Sequence, residues 1–466
     1  QEQDIPVRKQ HIYLGADLTL TGTQDLTLNG TIGGAGVLLM NNSGTLTLNG
    51  NNNNFNGIQL NAGNLAISTD TALGTGTLSV NANATVTSSN NLSLTNAIVL
   101  GTGSNLTLTS SDNLTLGGLL SGDGALTKSG TGTLALNHAN SYSGGTSLSD
   151  GLLVLGDDLA LGTGQLTVSG NGAIDASAVR YLANDVLFTN DFNMTVGGSN
   201  NLTLAGDLSG NGKLIKNGAG SLTLGGTNSY SDGTLINAGT VYGTTNSLPG
   251  DIEVGSLGRL EFSQNFDGSY GANGEVLSGS GTLAKSGTGT LTLIDGNTFT
   301  GLVDVLGGTL LTSGDTVIST ASQVNVDGGA TLAIGGEETL GNLTGTGAVN
   351  LVNAGTSVLN LFPTSGVATF AGAINGLGTL NKLGNNTLIL SGTSGLTGPT
   401  VIQAGTLQVD GTLDSATVNG QSGATLTGVG VLNGDVTVDN GGTIAADQSR
   451  GTLSVGNLSL NNSSQI

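Results

Sequence analysis

The stretch Leu277–Leu293 reads LSGSGTLAKSGTGTLTL, and it recurs. LSGDGALTKSGTGTLAL runs from Leu120 to Leu136, LSGNGKLIKNGAGSLTL from Leu208 to Leu224, and INGLGTLNKLGNNTLIL from Ile374 to Leu390. The long units align over Leu120–Leu155, Leu208–Gly243, Leu277–Thr312 and Ile374–Val409, and a degenerate first copy begins at Ile32. A chain that repeats itself on this scale folds as an array. Inside each copy the period is two. Thr290-Leu291-Thr292-Leu293 alternates Thr with Leu, which sends Leu to one face of a strand and Thr to the other. The runs are short and end in Gly, Asn or Ser-Gly. A unit with such short strands cannot cover its own Leu face, but stacking coil on coil covers it continuously. The predicted fold is all-β: a right-handed parallel β-helix of roughly 20 coils, at about 20 residues per coil. At ~4.8 Å per coil this gives a rod of order 100 Å. Leu fills the narrow interior, Thr and Ser clothe the outer strand faces, and Gly and Asn make the corners. A sandwich or propeller would show longer strands and aromatic cores.

Composition agrees. Of 466 residues 82 are Gly, and only 9% are charged, which suggests disorder until the 36% of hydrophobic residues are seen to recur at regular spacing. The chain has no Cys, so disulfides and thiolate metal sites are excluded. No apolar run approaches the ~18 residues of a spanning helix. Eight Phe and six Tyr are too few for the aromatic girdles of an outer-membrane barrel. The net charge of −21 argues against a nucleic-acid partner, which needs clustered Lys and Arg.

Catalytic chemistry is not predicted. The two histidines are His11, near the start, and His138, in a repeat corner, and neither sits in a pattern that suggests a Ser-His-Asp triad. The GDSGS signature of a serine protease is missing; the nearest string, Gly314-Asp315-Thr316, lacks the serine. The GGxGxD calcium nonapeptide is absent. The chain is therefore expected to be no enzyme, with no catalytic, cofactor-binding or metal-ligating residues.

Three residue sets remain as candidates. Lys128, Lys216, Lys285 and Lys382 hold one place in four units, and Met40 stands there in the first. They lie too far apart along the array to form one pocket. The expectation is structural: an apolar stem on the coil edge, with the ammonium in water or on corner carbonyls, and little stability change for Lys285→Met. Asn140, Asn228 and Asn297 precede Tyr142, Tyr230 and Phe299 and are expected to form corner ladders beside a stacked aromatic. Finally, 19 of the 31 acidic residues lie between Asp150 and Glu338. Asp157, Asp158, Asp251, Glu253, Asp315, Glu337 and Glu338 are expected in loops or corners, where they form a carboxylate- and amide-lined face for a protein ligand or a glycan.

The unit G-x-G-x-L-x-K-x-G-x-G-x-L-x-L, then N-x-[YF]-[ST]-G, then a G-T-L-x-V strand, resembles the passenger-associated transport repeat of bacterial autotransporters. It reads SGTGTLALNHANSYSGGTSL from Ser129 and GNNTLILSGTSGLTGPTVIQAGTLQV from Gly384, where Ser394 and Leu396 replace the Asn and the aromatic. The tail from Ala416 is similar to the segment that leads into the autochaperone region of such passengers. Where the family usually has Gly-Asn-Ser, this chain reads Ala446-Asp447-Gln448. The resemblance implies a single passenger domain over 1–466: a frayed start at 1–15, transport-type repeats at 32–409, and coils at 410–466 leading toward an autochaperone and a barrel missing from this chain. It implies type V secretion to the surface of a Gram-negative bacterium, with AIDA-type adhesins as relatives and membrane attachment only through that barrel. The implied function is adhesion to a host extracellular matrix protein or cell-surface glycan, such as fibronectin or a glycosaminoglycan. The alternative is self-association between passengers, giving cell aggregation and biofilm.

Overall fold

The computed structural model describes residues 11–51, 53–318, 323–364, 366–446 and 451–466. These contain strands, turns and bends and no α-helix. The strands pair in parallel, each with the strand about one coil away, as in Leu106↔Leu126 and Leu332↔Val349. The result is a parallel β-solenoid of about 22 turns. Two compact units divide it, Gln1–Gly233 and Thr234–Ile466.

In the first unit, one sheet has ten strands, running from Leu26–Leu28 through Thr45–Leu48, Asn105–Leu108 and Ala125–Lys128 to Leu208–Gly210. A second has six, from Leu18–Gly22 to Leu120–Gly122. A third face carries Leu92–Leu94, Leu114–Leu116, Thr133–Leu136 and Leu152–Leu155 as neighbours. Ile12–Leu14 pairs with Ile32–Gly34, and residues 1–10 of the stretch expected to fray lie outside the described residues. In the second unit, a six-stranded sheet runs from Gly268–Tyr270 to Ala373–Gly376, and a seven-stranded one from Glu337–Leu340 to Leu458–Leu460.

The alternation read from the sequence is the burial pattern. In Thr45–Leu48, Leu46 and Leu48 are buried and both Thr half-exposed. In-register stacking places like on like: Leu291, Leu310, Leu332, Val349 and Ile374 form one unbroken interior column, all fully buried. Each such side chain contributes roughly 1.5–3 kcal/mol by leaving water.

The Leu-Ser-Gly that opens a repeat has a steric cause. Gly122 and Gly279 take φ of 98° and 104°. A Cβ on either would also lie 2.1 Å from a carbonyl oxygen of the previous coil, Leu100 O or Val254 O. Only Gly satisfies both the angle and the spacing.

Candidate functional site

The repeat lysines are interior. Lys128 stands in a column between Leu108 and Leu148, and all four lysines are at most 2% exposed. Their ammonium groups meet the carbonyls of the coil corner rather than water. Lys285 Nζ donates to Ser286 O at 2.8 Å, Gly287 O at 3.1 Å and Gly307 O at 3.2 Å. Lys382 Nζ donates to Leu383 O and Gly384 O at 2.8 Å and to Ala404 O at 3.1 Å. Lys128 reaches Gly130 O and Asp150 O, and Lys216 reaches Gly218 O. The group clamps two successive coils from inside. Burial lowers the pKa of all four, and that of Lys382 falls to about 8; Asp150, Asp175 and Asp267 oppose the shift at Lys128, Lys216 and Lys285. The structural reading of these lysines therefore holds on the carbonyls, while the exposed-edge part of it does not. The corner of the first repeat, where methionine stands, is built differently. Where Lys128 is followed at the second position by Gly130, Met40 is followed by Asn42, whose amide donates to Gln24 O at 2.6 Å.

The asparagine ladder also forms. Asn140, Asn228 and Asn297 each accept, through Oδ1 at 2.8 Å, the backbone N–H of the residue that opens their repeat: Leu120, Leu208 and Leu277. Asn53 does the same for Ile32, and Ser394 Oγ serves Ile374 at 3.1 Å. Tyr142, Tyr230 and Phe299 are buried beside them, and the Tyr142 hydroxyl lies 2.5 Å from Thr146 Oγ1. Burial raises the Tyr142 pKa.

The seven candidate carboxylates divide by role. Asp158, Asp251 and Asp315 sit at corners, where each Oδ1 accepts a backbone N–H from the following coil: Tyr181 at 3.1 Å, Val276 at 2.8 Å and Glu337 at 2.7 Å. Asn113 does this for Thr133 at 3.1 Å, so Asp and Asn share one structural duty. Asp157 Oδ1 accepts Leu159 N–H within its own turn at 2.9 Å. Glu253 and Glu337 are exposed but lie in strands, not loops, and Glu337 Oε1 accepts the Asn360 amide at 2.8 Å. Glu338 departs furthest from expectation. It occupies an inward strand position, fully buried, and its two oxygens accept Val317 N–H and Ile318 N–H at 3.0 and 3.1 Å. The alternation at Glu337–Leu340 carried that signal: a residue two before the buried Leu340 faces inward. Hydrogen bonds connect Asp315 to Glu337 and set Glu338 beside them, while Asp157 and Asp158 belong to the first unit and the other five to the second.

The surface offers shallow clefts. One, of about 450 Å³, is lined by Asn53, Asp70, Thr71, Thr75, Thr95 and Asn96 among others. Another, of about 280 Å³, is lined by Asn105, Thr127, Ser143, Ser147, Gln165 and Thr167 with intervening backbone. Hydroxyl and amide groups dominate their walls, with the Asp70 carboxylate in the first, and suit them to hydrogen bonding.

A family model described as passenger-associated-transport-repeat matches residues 38–67, 126–155, 214–242, 283–311 and 380–409. Each match has the lysine, or Met40, as its third residue. A Brucella suis biovar 1 (strain 1330) protein described as "Adhesin BmaC autotransporter" is 31% identical, over 86% of this chain. The chain is an autotransporter passenger segment. It spans 13% of the length of that relative. No solved structure matches it. In this passenger segment the transport repeat is one structural device used five times: an inward cation or thioether at the third position, followed by the amide or hydroxyl that caps the opening strand. Asp447 and Gln448, of the segment that departs from the family's Gly-Asn-Ser, lie outside the described residues.

Proposed function

We propose that this passenger segment is part of a bacterial surface adhesin, exported through the outer membrane of a Gram-negative cell and binding a host partner along the outside of the solenoid. The carrying observation is the 31% identity to a protein described as an adhesin, over 86% of this chain. The geometry supports binding rather than catalysis: the lysines and Glu338 are engaged inside the coils, and the open clefts are lined by hydroxyls and amides. A single passenger domain, with 410–466 leading toward an autochaperone, is part of the same proposal.

Charge favours a host matrix protein, such as fibronectin, over a sulfated glycosaminoglycan. Seven Lys and Arg residues are described. Four have Nζ on corner carbonyls. Arg259 pairs with Asp304 and Glu261, at 2.9 and 3.4 Å. Arg180 donates to Gly156 O, which leaves Lys213. A polyanion finds little on such a surface to pair with. The test is binding of the chain to immobilised fibronectin, heparin and neutral glycans, with sedimentation of the chain alone. Binding as a monomer to the protein supports the reading. Heparin binding alone overturns the protein preference, and aggregation without host material replaces the reading with self-association.

A further inference from the structure

The first two repeats begin 88 residues apart, at Ile32 and Leu120, and one corner of the second has been rebuilt. The backbone there is the same in both. Ser93 N–H donates to Asp70 Oδ1 at 2.7 Å, as Tyr181 N–H does to Asp158 Oδ1 at 3.1 Å. The turns match as well: Gly74 N–H meets Thr71 O at 3.1 Å, and Gly162 N–H meets Leu159 O at 3.0 Å. Three side chains on this shared frame differ in one direction. Thr71, Asn91 and Ser93 of the first repeat become Leu159, Val179 and Tyr181 in the second. These three are 51%, 70% and 54% exposed. The fold does not need them, since the first repeat makes the same corner with small polar residues. They share one place: the Asp158–Tyr181 bond lays the turn carrying Leu159 against the segment carrying Val179 and Tyr181.

Charge around this corner is one-sided. Asp157 and Asp158 border it. Arg180, between Val179 and Tyr181, turns its guanidinium onto Gly156 O. Arg180 pairs in register with the buried Leu202, so its position faces inward, away from the two exposed neighbours.

We infer that Leu159, Val179 and Tyr181, bordered by Asp157 and Asp158, form a docking patch for a segment of a partner protein that carries apolar and basic side chains. The inference rests on the adhesin reading above and gives it a place and a chemistry. Exposed aliphatic groups beside carboxylates complement Leu, Ile or aromatic residues flanked by Lys or Arg. Two aliphatic side chains out of three fit a protein better than the hydroxyl-covered faces of a sugar. A second copy of this chain is a poor occupant, because it would bring carboxylates against carboxylates with almost no free cation among the described residues to answer them.

The test uses two probes on the immobilised chain: a synthetic dodecapeptide of alternating lysine and leucine, and cultured epithelial cells. The triple variant Leu159→Thr, Val179→Asn, Tyr181→Ser restores the side chains of the first repeat, and circular dichroism checks its fold. A second variant, Asp157→Asn with Asp158→Asn, keeps every Oδ1 acceptor and guards against misfolding of the first. The triple variant is expected to weaken peptide binding by about tenfold or more, as losing a few apolar anchors does. The double variant should weaken it severalfold and reduce its salt dependence. Cell attachment should fall in parallel and disappear when the cells are first treated with trypsin. The site is overturned if both variants keep wild-type peptide binding and wild-type attachment, whether those levels are high or nil. Attachment that resists trypsin but is lost after periodate assigns the patch to a glycan and overturns the protein partner. Dimerisation of the wild type that the triple variant lacks assigns it to a second copy and overturns the inference likewise. Patch-dependent peptide binding without any cell attachment leaves the site standing and removes the adhesin reading; equal attachment with unchanged peptide binding does the reverse.

Discussion

Replacing Lys285 by methionine separates the two roles a buried lysine can have. As filler, its stem is nearly isosteric with methionine, and Met40 occupies the equivalent place. As a clamp, it gives three donors to Ser286, Gly287 and Gly307 carbonyls at 2.8–3.2 Å. Lys285→Met keeps the filler and removes the clamp. A buried carbonyl left without a donor costs about 1–3 kcal/mol, and relief from burying a charge offsets part of that loss. The first repeat has another donor at this corner, the Asn42 amide, which bonds Gln24 O of the preceding coil. Lys285→Met has no such help, because Gly287 takes φ of 80° and a Cβ there would meet Gln264 O at 2.3 Å. The net expectation is a loss of about 1–3 kcal/mol, larger than the sequence suggests, seen in chemical denaturation and as faster amide exchange confined to the neighbouring coils. The pH dependence supplies a second check through Lys382. Its pKa is lowered to about 8, so between pH 8 and the unfolded value of 10.5 the unfolded chain holds more protons. Stability therefore rises with pH across that window, is fully present above it, and is lost as pH falls through 8. Lys382→Met removes this slope, so its deficit against wild type should widen from pH 8 to 10. A Lys285→Met protein within about 0.5 kcal/mol of wild type refutes the clamp, and a Lys382→Met deficit that is flat with pH refutes the burial-lowered pKa; 0.5 kcal/mol is the scatter of a neutral surface substitution.

Asp158→Asn should leave the melting temperature unchanged, because Asn retains the acceptor for Tyr181 N–H, whereas Asp158→Ala should cost about 1 kcal/mol by thermal denaturation. Glu338→Gln removes one of two acceptors facing Val317 and Ile318 N–H and should cost about 1–3 kcal/mol, with exchange protection lost at those two amides. Gly279→Ala meets both a φ of 104° and a carbonyl at 2.1 Å, and should unfold its coil or abolish soluble expression.

Much of this fold is legible because a solenoid writes its geometry at two periods. Thr-Leu alternation sets the faces, and recurrence of the Gly-bounded unit sets the stacking. Local spacing alone decides that Leu291 points in and Thr290 out. What local spacing does not decide is which polar residue the interior can accept. Lys285 reads as an edge residue by its charge, yet its register places it inward, and only the three corner carbonyls make that position tolerable. Glu338 is the same case with opposite sign: two converging backbone N–H groups, from a turn 20 residues earlier, hold a carboxylate that looks like half of a surface pair. Asp158, Asp251 and Asp315 look like binding groups by charge and share the backbone duty of Asn113. At corners the useful distinction is between an acceptor and no acceptor, not between Asp and Asn.

Strain gives the last prediction. Thr316 adopts φ of 58°, a region a β-branched residue rarely enters, and such a conformation costs of order 1–3 kcal/mol. Its neighbours explain how it is held. Thr316 N–H donates to Glu337 O at 2.8 Å, Asp315 accepts Glu337 N–H, and Glu338 takes the next two amides. Four hydrogen bonds on consecutive residues over-determine the turn, so the strain is stored rather than relieved. Thr316→Gly should release it and raise stability by about 0.5–1 kcal/mol after the extra chain entropy of Gly is subtracted. The same substitution made in Glu338→Gln should gain less, because a turn already loosened holds less strain. Measured together, the two substitutions should therefore be non-additive. Strict additivity would mean that Glu338 does not hold the turn, and a Thr316→Gly protein less stable than wild type would mean that the turn is not strained.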